Sequence, residues 1–185
     1  MRVIAGEAKR LKLVSPKGFE TRPTSDITKE TLFNVLAPYI YSDTRFLDLF
    51  AGSGAIGIEA VSRGAKEAVF VEKSKEALSC IAANLKTCRL EDRARIMKLD
   101  VMSALNTLSR GEGFDIIFMD PPYNEGMEKT VLKYIRGTEL LKEDGLIVVE
   151  SSVETGYDYV QGLGLEIFKE KRYRNNKHTF FRSIQ

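Results

Sequence analysis

Short runs of apolar residues alternate along the chain with longer segments whose apolar residues recur every three or four positions. The short runs predict buried strands, and the longer segments predict amphipathic helices. The predicted strands lie near Phe46–Phe50, Ala68–Glu72, Arg95–Leu99, Phe114–Met119 and Leu146–Glu150. The predicted helices lie near Ile56–Arg63, Lys75–Lys86, Met102–Leu108, Met127–Arg136 and Glu154–Leu163. This alternation predicts an α/β fold with a mostly parallel sheet and helices on both faces.

Both ends of the chain depart from this alternation. At the amino end, Val3–Ala5 and Leu11–Val14 predict a short hairpin, and a helix capped by Ser25 or Asp26 follows to about Ala37. At the carboxyl end, an antiparallel hairpin is predicted from the strands Glu166–Lys171 and Thr179–Ile184. We therefore expect a small hairpin-and-helix appendage over residues 1–40 and a main domain over residues 41–185.

A glycine-rich loop follows the first predicted strand of the main domain. Its spacing, Gly52-x-Gly54-x-x-Gly57, lets the backbone approach a ligand and lets the next helix pack closely on the strand. Glu72 ends the next apolar run, where a carboxylate can accept both hydroxyl groups of an adenosine ribose. Nicotinamide-binding Rossmann domains and S-adenosylmethionine enzymes share this arrangement, so these residues alone do not separate the two classes.

Two further acids favour S-adenosylmethionine as the ligand. Asp48 stands four residues before Gly52, where its carboxylate could face the ammonium group of the methionine part. Asp100 follows the third predicted strand and could bind the adenine amino group, with Val101 packing on the ring. Because open α/β sheets bind ligands at the carboxyl ends of their strands, these loops would converge on one crevice.

The fourth predicted strand ends in Asp120-Pro121-Pro122-Tyr123, which predicts a pocket for a planar amine. Proline fixes its own φ and restricts the residue before it, so the carbonyl groups of the tetrapeptide point in set directions. The carboxylate and one or two carbonyls could accept hydrogen bonds from an exocyclic NH2 group, and the tyrosine ring offers a face for stacking. A proline-rich turn is the alternative interpretation. A hydride-transfer site has no evident use for this pocket.

In their order along the chain, these motifs resemble those of class I S-adenosylmethionine-dependent methyltransferases of the amino type. Within that class the chain resembles the RsmD family, bacterial enzymes that methylate guanine N2 in 16S ribosomal RNA. The resemblance is carried by Arg2–Gly6, Arg22–Asp26, Lys29–Leu36, Leu47–Gly54, Ser62–Ala65, Glu72 and the tetrapeptide. The chain departs from the family at Lys177-His178-Thr179, where a Tyr-Gly-x-Thr-like turn is common.

The resemblance implies a Rossmann-like, seven-stranded sheet and S-adenosyl-L-methionine as the cofactor, with S-adenosyl-L-homocysteine as the product. The implied catalytic residues are Asp120, Pro121, Pro122 and Tyr123. The residues expected to bind the cofactor are Asp48, Gly52, Ser53, Gly54, Glu72, Lys73, Asp100, Val101 and Asp120. No metal site is expected.

Both ends of the chain are basic, although the net charge is only +2. Residues 1–22 carry six Lys or Arg and two acidic residues, and residues 169–182 carry six and one. If both ends lie beside the tetrapeptide, they form a surface for a phosphate backbone; the alternative interpretation is an ordinary solvated face. The predicted RNA-binding residues are Lys9, Arg10, Lys12, Arg22, Tyr123, Arg172, Arg174 and Lys177.

The expected partner is 16S rRNA in an assembling small ribosomal subunit, bound by the chain as a monomer through the RNA-facing appendage. No apolar run approaches a membrane helix in length, and the amino terminus lacks a signal peptide. Cys80 and Cys88, without a CxxC pattern, indicate buried free thiols in a reducing cytoplasm. His178, the only histidine, is expected to have no partner and no role as a general base.

Several alternative functions stay open from the sequence. The same tetrapeptide can serve adenine N6 or cytosine N4 of DNA, although such enzymes usually need extra chain to recognise a sequence. A related motif methylates the amide of a protein glutamine, which would not require two basic ends. A catalytically silent RNA-binding module is the alternative outside the enzymes, and measured cofactor binding would separate it from them.

Overall fold

The computed structural model describes residues 1–16, 26–123 and 125–184. Its centre is one sheet of seven strands in the order β3-β2-β1-β4-β5-β7-β6. The strands are β1 (Arg45–Leu49), β2 (Glu67–Glu72), β3 (Ala94–Lys98), β4 (Phe114–Met119), β5 (Leu141–Ser152), β6 (Leu165–Arg172) and β7 (Asn176–Ser183). The helices are α1 (Asp26–Leu36), α2 (Ala55–Ser62), α3 (Lys75–Cys88), α4 (Val101–Leu108) and α5 (Met127–Arg136). Strands β1 to β5 are parallel and β7 is antiparallel to β5 and β6, which confirms the predicted fold class.

Each face of the sheet is covered by helices and holds its own apolar cluster. One cluster joins α1, α2 and α3 to the sheet and includes Phe33, Ile58 and Ile81. The other joins α4 and α5 to the sheet and includes Leu105 and Leu132. Because both faces of the central strands are buried, these strands are apolar at successive positions rather than at alternating ones. Continuous apolar runs in the sequence predict them for this reason.

The amino-terminal segment packs against α2 without forming a regular hairpin. Its two arms share one antiparallel bridge, between Arg2 and Lys12. At the turn, Gly6 has a φ of 83°, and a Cβ at this position would lie 1.7 Å from the carbonyl oxygen of Ser62. Only glycine fits such a close approach with a positive φ. Val3, fully buried, joins the apolar cluster that α2 shares with the sheet.

A buried ion pair ties this segment and α1 to α2. The Glu59 carboxylate accepts hydrogen bonds from the backbone N–H groups of Ile4 at 2.8 Å and Ala5 at 3.0 Å. It also pairs with Lys29 Nζ at 3.2 Å, and both charged side chains are fully buried. Residues within the predicted 1–40 appendage therefore share a core and hydrogen bonds with the main domain. The boundary between the two parts remains a prediction.

One predicted helix, Glu154–Leu163, is wrong. The segment forms turns and a short 3-10 helix, Gln161–Leu163. The cause is Tyr157, whose buried ring packs against Phe181 with the ring centroids 5.0 Å apart. Its hydroxyl donates to Ser151 Oγ at 2.9 Å. These contacts fix Tyr157 against the end of the sheet. Two glycines within the segment, Gly156 and Gly162, also lower its helix propensity.

The carboxyl-terminal strands also differ in length from the prediction. β5 begins at Leu141, which pairs with Phe114 before the register of the two strands shifts. β7 begins at Asn176, inside the predicted loop. The other predicted strands and helices of the main domain begin and end within two residues of the observed ones. The predicted cap Ser25 lies outside the described residues.

Within residues 1–16, 26–123 and 125–184, no helix has the length and apolar composition needed to cross a membrane. In the same part of the chain, no cluster of His, Cys, Asp and Glu side chains is suited to hold a metal ion. Both cysteines are free thiols; Cys88 is buried and Cys80 is half-buried.

Candidate functional site

Four carboxylates lie near the ends of four neighbouring strands, and Asp48 stands two residues deeper in its strand than the other three. Asp48, Glu72, Asp120 and Glu150 belong to or directly follow the carboxyl ends of β1, β2, β4 and β5. The order β2-β1-β4-β5 makes these strands consecutive in the sheet. Parallel pairing then brings their ends to one edge, as the sequence predicts for an α/β ligand crevice.

The glycine loop crosses this edge between β1 and α2. Its backbone has positive φ at Phe50 (61°), Gly52 (56°) and Gly54 (76°). A positive φ is unusual for phenylalanine, and such residues are enriched at functional sites. A Cβ at Gly57 would lie 2.4 Å from a ring carbon of Phe70, so glycine is required for the close packing of α2 on β2. The loop spacing predicts this close approach.

Asp48 lies beneath the loop rather than in the open crevice. Its side chain is buried, and Oδ2 accepts a hydrogen bond from the backbone N–H of Gly57 at 2.9 Å. Burial raises the pKa of Asp48 to about 8, the Gly57 hydrogen bond opposes the shift, and the Glu72 charge adds to it. The predicted contact with the donor's ammonium group remains a prediction, and it would have to be made from below the loop.

Glu72 holds the loop by backbone hydrogen bonds. Its Oε2 accepts the N–H of Gly52 at 2.9 Å, and its Oε1 accepts the N–H groups of Lys73 at 2.8 Å and Ser74 at 2.9 Å. A carboxylate has about four acceptor sites, so one site on Oε2 stays open to a ligand hydroxyl. Glu72 can therefore accept both ribose hydroxyls, as predicted, only if it shares or loses one of its hydrogen bonds from the backbone. Lys73 contributes its backbone here, and its side chain is exposed.

Asp100 caps α4. Its Oδ1 accepts the backbone N–H of Ser103 at 3.0 Å and its Oδ2 accepts the Ser103 hydroxyl at 2.6 Å; these bonds lower the pKa of Asp100. The exposed carboxylate keeps acceptor sites for an adenine amino group. Val101 is 8% exposed and offers a narrow apolar surface beside it. Ser53 is half-buried in the glycine loop, and its carbonyl accepts a hydrogen bond from Asn84 Nδ2 at 2.8 Å.

The tetrapeptide after β4 combines a half-buried acid with an exposed aromatic ring. Burial and then the charges of Glu150 and Asp48 raise the pKa of Asp120 well above its ordinary value. Pro121 is buried and Pro122 is exposed. Tyr123 is 42% exposed, and its hydroxyl donates to Glu150 Oε1 at 3.4 Å.

A network behind the tetrapeptide was missed from the sequence. Glu150 is buried; its Oε1 accepts from Asn176 Nδ2 at 2.5 Å, and His178 Nε2 lies 3.0 Å from its Oε2. His178 Nδ1 lies 3.2 Å from the Tyr173 hydroxyl. The prediction that His178 has no partner is therefore wrong. Residues 176 and 178 reach the carboxylate because β7 pairs His178 directly opposite Glu150. The signal in the sequence that could have revealed this network is Glu150 itself, the acid that ends the apolar run of β5.

The prediction that Lys177 contacts RNA is wrong. Because side chains alternate along a strand, Lys177 points to the face opposite its neighbours Asn176 and His178. It is 4% exposed, its Nζ lies 2.9 Å from Glu170 Oε2, and it stands 5.4 Å above the Tyr157 ring. A side chain buried in this way cannot reach an RNA phosphate.

The two other basic residues predicted at the carboxyl end, Arg172 and Arg174, lie at the site edge. Arg172 ends β6 and Arg174 lies in the turn that follows; both are exposed, close to the end of β5. Arg172 Nε donates to Glu170 Oε1 at 2.7 Å, so its charge is partly neutralised. Arg174 is exposed, and its predicted RNA contact remains a prediction.

Three of the predicted amino-terminal basic residues lie in the segment that packs on α2, and their place beside the tetrapeptide remains a prediction. Lys9, Arg10 and Lys12 are all exposed. The turn that holds Lys9 contacts Ser62 at the far end of α2, so it lies about 12 Å from the glycine loop along a helix of this length. Lys12 lies nearer to the glycine loop. Two residues after it, the backbone of Val14 hydrogen-bonds to the Asn84 side chain, which also donates to the Ser53 carbonyl in the loop. Arg22 lies outside the described residues.

The buried Asp48 carboxyl should make the stability of the protein dependent on pH. Its pKa is 3.8 ordinarily and about 8 when folded, so between these values the folded chain holds a proton that the unfolded chain has lost. The free energy of unfolding should therefore fall by about 1.4 kcal/mol per pH unit as pH rises through this window. Asp48→Asn keeps an acceptor for the Gly57 N–H and does not titrate. Urea unfolding at pH 5 and pH 8 should give a smaller fall for this variant.

A change of the same kind at a surface acid is the control. Asp144 is exposed, so Asp144→Asn should follow the wild-type pH dependence. Parallel profiles for Asp48→Asn and wild type would contradict the raised pKa.

Known proteins resemble the chain in sequence and structure. The family model "Conserved hypothetical protein 95" matches residues 1–182. The putative rRNA methyltransferase YlbH of Bacillus subtilis is 44% identical over 155 residues, which cover 83% of this chain and 84% of that protein. Ribosomal RNA small subunit methyltransferase D of Escherichia coli is 38% identical over 156 residues, covering 84% and 77%. A solved structure of the putative methyltransferase yhhF from Escherichia coli has a TM-score of 0.85 and 34% identity, covering 100% and 99%. The chain therefore belongs to this family, that of ribosomal RNA small subunit methyltransferase D, as its motifs predicted.

Proposed function

We propose that the chain transfers a methyl group from S-adenosylmethionine to the exocyclic N2 of a guanine in small-subunit ribosomal RNA. The observation that carries the proposal is the position of Asp120, which follows β4 between the acid of β1 and the acid of β5 on the edge that holds the glycine loop. Both curated relatives are named as rRNA methyltransferases, and one is named for the small subunit.

The residues of the edge fit S-adenosylmethionine. A Cβ at Gly52 would meet no atom within 4 Å, so the backbone of the loop is open to a close ligand. Glu72 keeps an acceptor site for a ribose hydroxyl, and Asp100 keeps sites for the adenine amino group. The buried Asp48 carboxyl group suits a ligand that carries positive charge, because a nearby positive charge favours the ionised form that burial disfavours.

The chemistry follows from the acceptors at the tetrapeptide. S-adenosylmethionine, when bound, supplies an electrophilic methyl group. The guanine N2 lone pair is delocalised into the ring, and hydrogen bonds from its two hydrogens to Asp120 and the Pro121 carbonyl would turn the nitrogen toward tetrahedral geometry. The same acceptors stabilise the positive charge that develops on the nitrogen. A raised pKa makes the Asp120 carboxylate a better acceptor for the proton released after transfer.

The position of Tyr123 suits an unpaired base. A base inside a duplex cannot reach such a pocket, so the target is unpaired or flipped out of its stack. The ring of Tyr123 is 42% exposed beside Asp120 and can stack on that base, for about 1–3 kcal/mol. The final parts of the proposal rest on the family resemblance: the chain acts in the cytoplasm as a monomer, on rRNA within an assembling small subunit.

Removal of the Asp120 carboxylate should separate catalysis from donor binding. Asp120→Ala should lower turnover on small-subunit RNA by about 100-fold or more, because acceptors that stabilise a developing charge contribute this much. Donor affinity measured by calorimetry should change little, since the role of Asp120 is on the amine side. Asp144→Ala, at an exposed acid, is the control. Near-normal turnover of the Asp120 variant would overturn the mechanism.

The exposed basic residues of the amino end should bind RNA through phosphates. Reversing Lys9, Arg10 and Lys12 to Glu should flatten the dependence of RNA affinity on salt, by about 0.7–0.9 in the logarithmic slope for each lost contact. Donor affinity should not change. Lys133→Glu, an exposed residue of α5 on the other face of the sheet, is the control. If the triple variant keeps the wild-type slope, the amino-terminal segment is not part of the RNA surface.

A further inference from the structure

Glu150 is the direct neighbour of Asp120 at the site edge. β4 and β5 are parallel and Met119 pairs with Val149, so the next residues on the two chains, Asp120 and Glu150, stand beside each other. Both charges also act on Tyr123, whose pKa they raise after burial. The amine site proposed beside Tyr123 is therefore flanked by two carboxyl groups.

The hydrogen bonds of Glu150 leave it able to accept one more donor. Asn176 and His178 hold the carboxylate from behind at 2.5 Å and 3.0 Å. The third contact, from the Tyr123 hydroxyl, is long at 3.4 Å and lies on the pocket side. Because a hydrogen bond of this length is weak, an incoming N–H group can replace it. The tyrosine ring is then released from Glu150 and can stack on the base.

The three bases that carry an exocyclic amine differ at the neighbouring ring nitrogen. Guanine has an N1–H beside its N2 amine, so it presents three hydrogens along one edge. Adenine and cytosine have a lone pair beside their amine. A lone pair held against the Glu150 carboxylate would be repelled and would leave a buried acceptor unpaired, which is costly.

From this complementarity we infer that Glu150 selects guanine by accepting its N1–H, while Asp120 accepts from the N2 amine. Asn176 and His178 are positioning residues that hold the Glu150 carboxylate toward the pocket. The inference rests on the proposed function, because it concerns the base methylated at the same site. The tetrapeptide can bind the exocyclic amine of any base, and Glu150 on β5 selects guanine among these bases.

A comparison of guanine with 2-aminopurine tests this inference. Wild-type protein first methylates small-subunit RNA, and nucleoside analysis identifies the methylated guanosine. The same RNA is then prepared with guanine or 2-aminopurine at that position; 2-aminopurine keeps the amine but has a lone pair in place of N1–H. The ratio of kcat/KM for the two RNAs is measured for wild type, Glu150→Gln and Glu150→Ala.

The matched control is Glu170→Gln. Glu170 lies on β6 and pairs with Lys177 on the other face of the sheet, so the variant makes the same chemical change away from the pocket. Its ratio should equal that of wild type. Donor affinity by calorimetry and the circular dichroism spectrum report whether each variant is folded.

Wild type should prefer guanine, and both Glu150 variants should lose part of that preference. We expect the ratio to fall about fivefold in Glu150→Gln, where a neutral acceptor replaces a charged one, and about tenfold or more in Glu150→Ala. A purely structural role would lower both rates in the same proportion and leave the ratio unchanged, which would overturn the inference. If Glu150→Ala does not fold, Glu150→Gln decides. If wild type forms no methylguanosine, the proposed function fails and the inference fails with it.

Discussion

The site depends on one constraint: parallel strands end together, so the acids that follow them are forced into one poorly hydrated space. Asp48, Asp120 and Glu150 are each half-buried or buried there, and burial raises the pKa of the first two. A buried carboxylate is costly unless hydrogen bonds or positive charge stabilise it. The surrounding structure supplies the hydrogen bonds, from Gly57 to Asp48 and from Asn176 and His178 to Glu150. A positively charged ligand would supply the rest, which is why such an edge suits a sulfonium donor.

The same constraint explains what could be predicted from the sequence. Central strands buried on both faces are continuous apolar runs, and an acid or glycine after such a run lies at the carboxyl edge whatever the other details of the fold. The glycine loop, Glu72 and Asp120 were therefore found at the site edge from the sequence alone. Family, fold class and enzyme class were likewise predicted correctly.

What could not be predicted depends on pairing between distant strands. His178 and Lys177 are adjacent in a basic, polar stretch, and only the register of β7 on β5 sends one toward Glu150 and the other toward Glu170. Tyr157 overrides a helical pattern through contacts with the sheet. The Glu59–Lys29 pair, which fixes the amino-terminal segment, likewise joins residues far apart in the chain. Local patterns carry no information about such partners.

Identification of the product tests most directly whether this acid-lined edge methylates an amine of small-subunit RNA. The protein is incubated with ribosomal RNA lacking the modification and with S-adenosylmethionine whose methyl group carries an isotope label, and the digested nucleosides are analysed by mass spectrometry. The label should appear in N2-methylguanosine. Label in N6-methyladenosine or N4-methylcytidine, or in no nucleoside, would contradict this prediction.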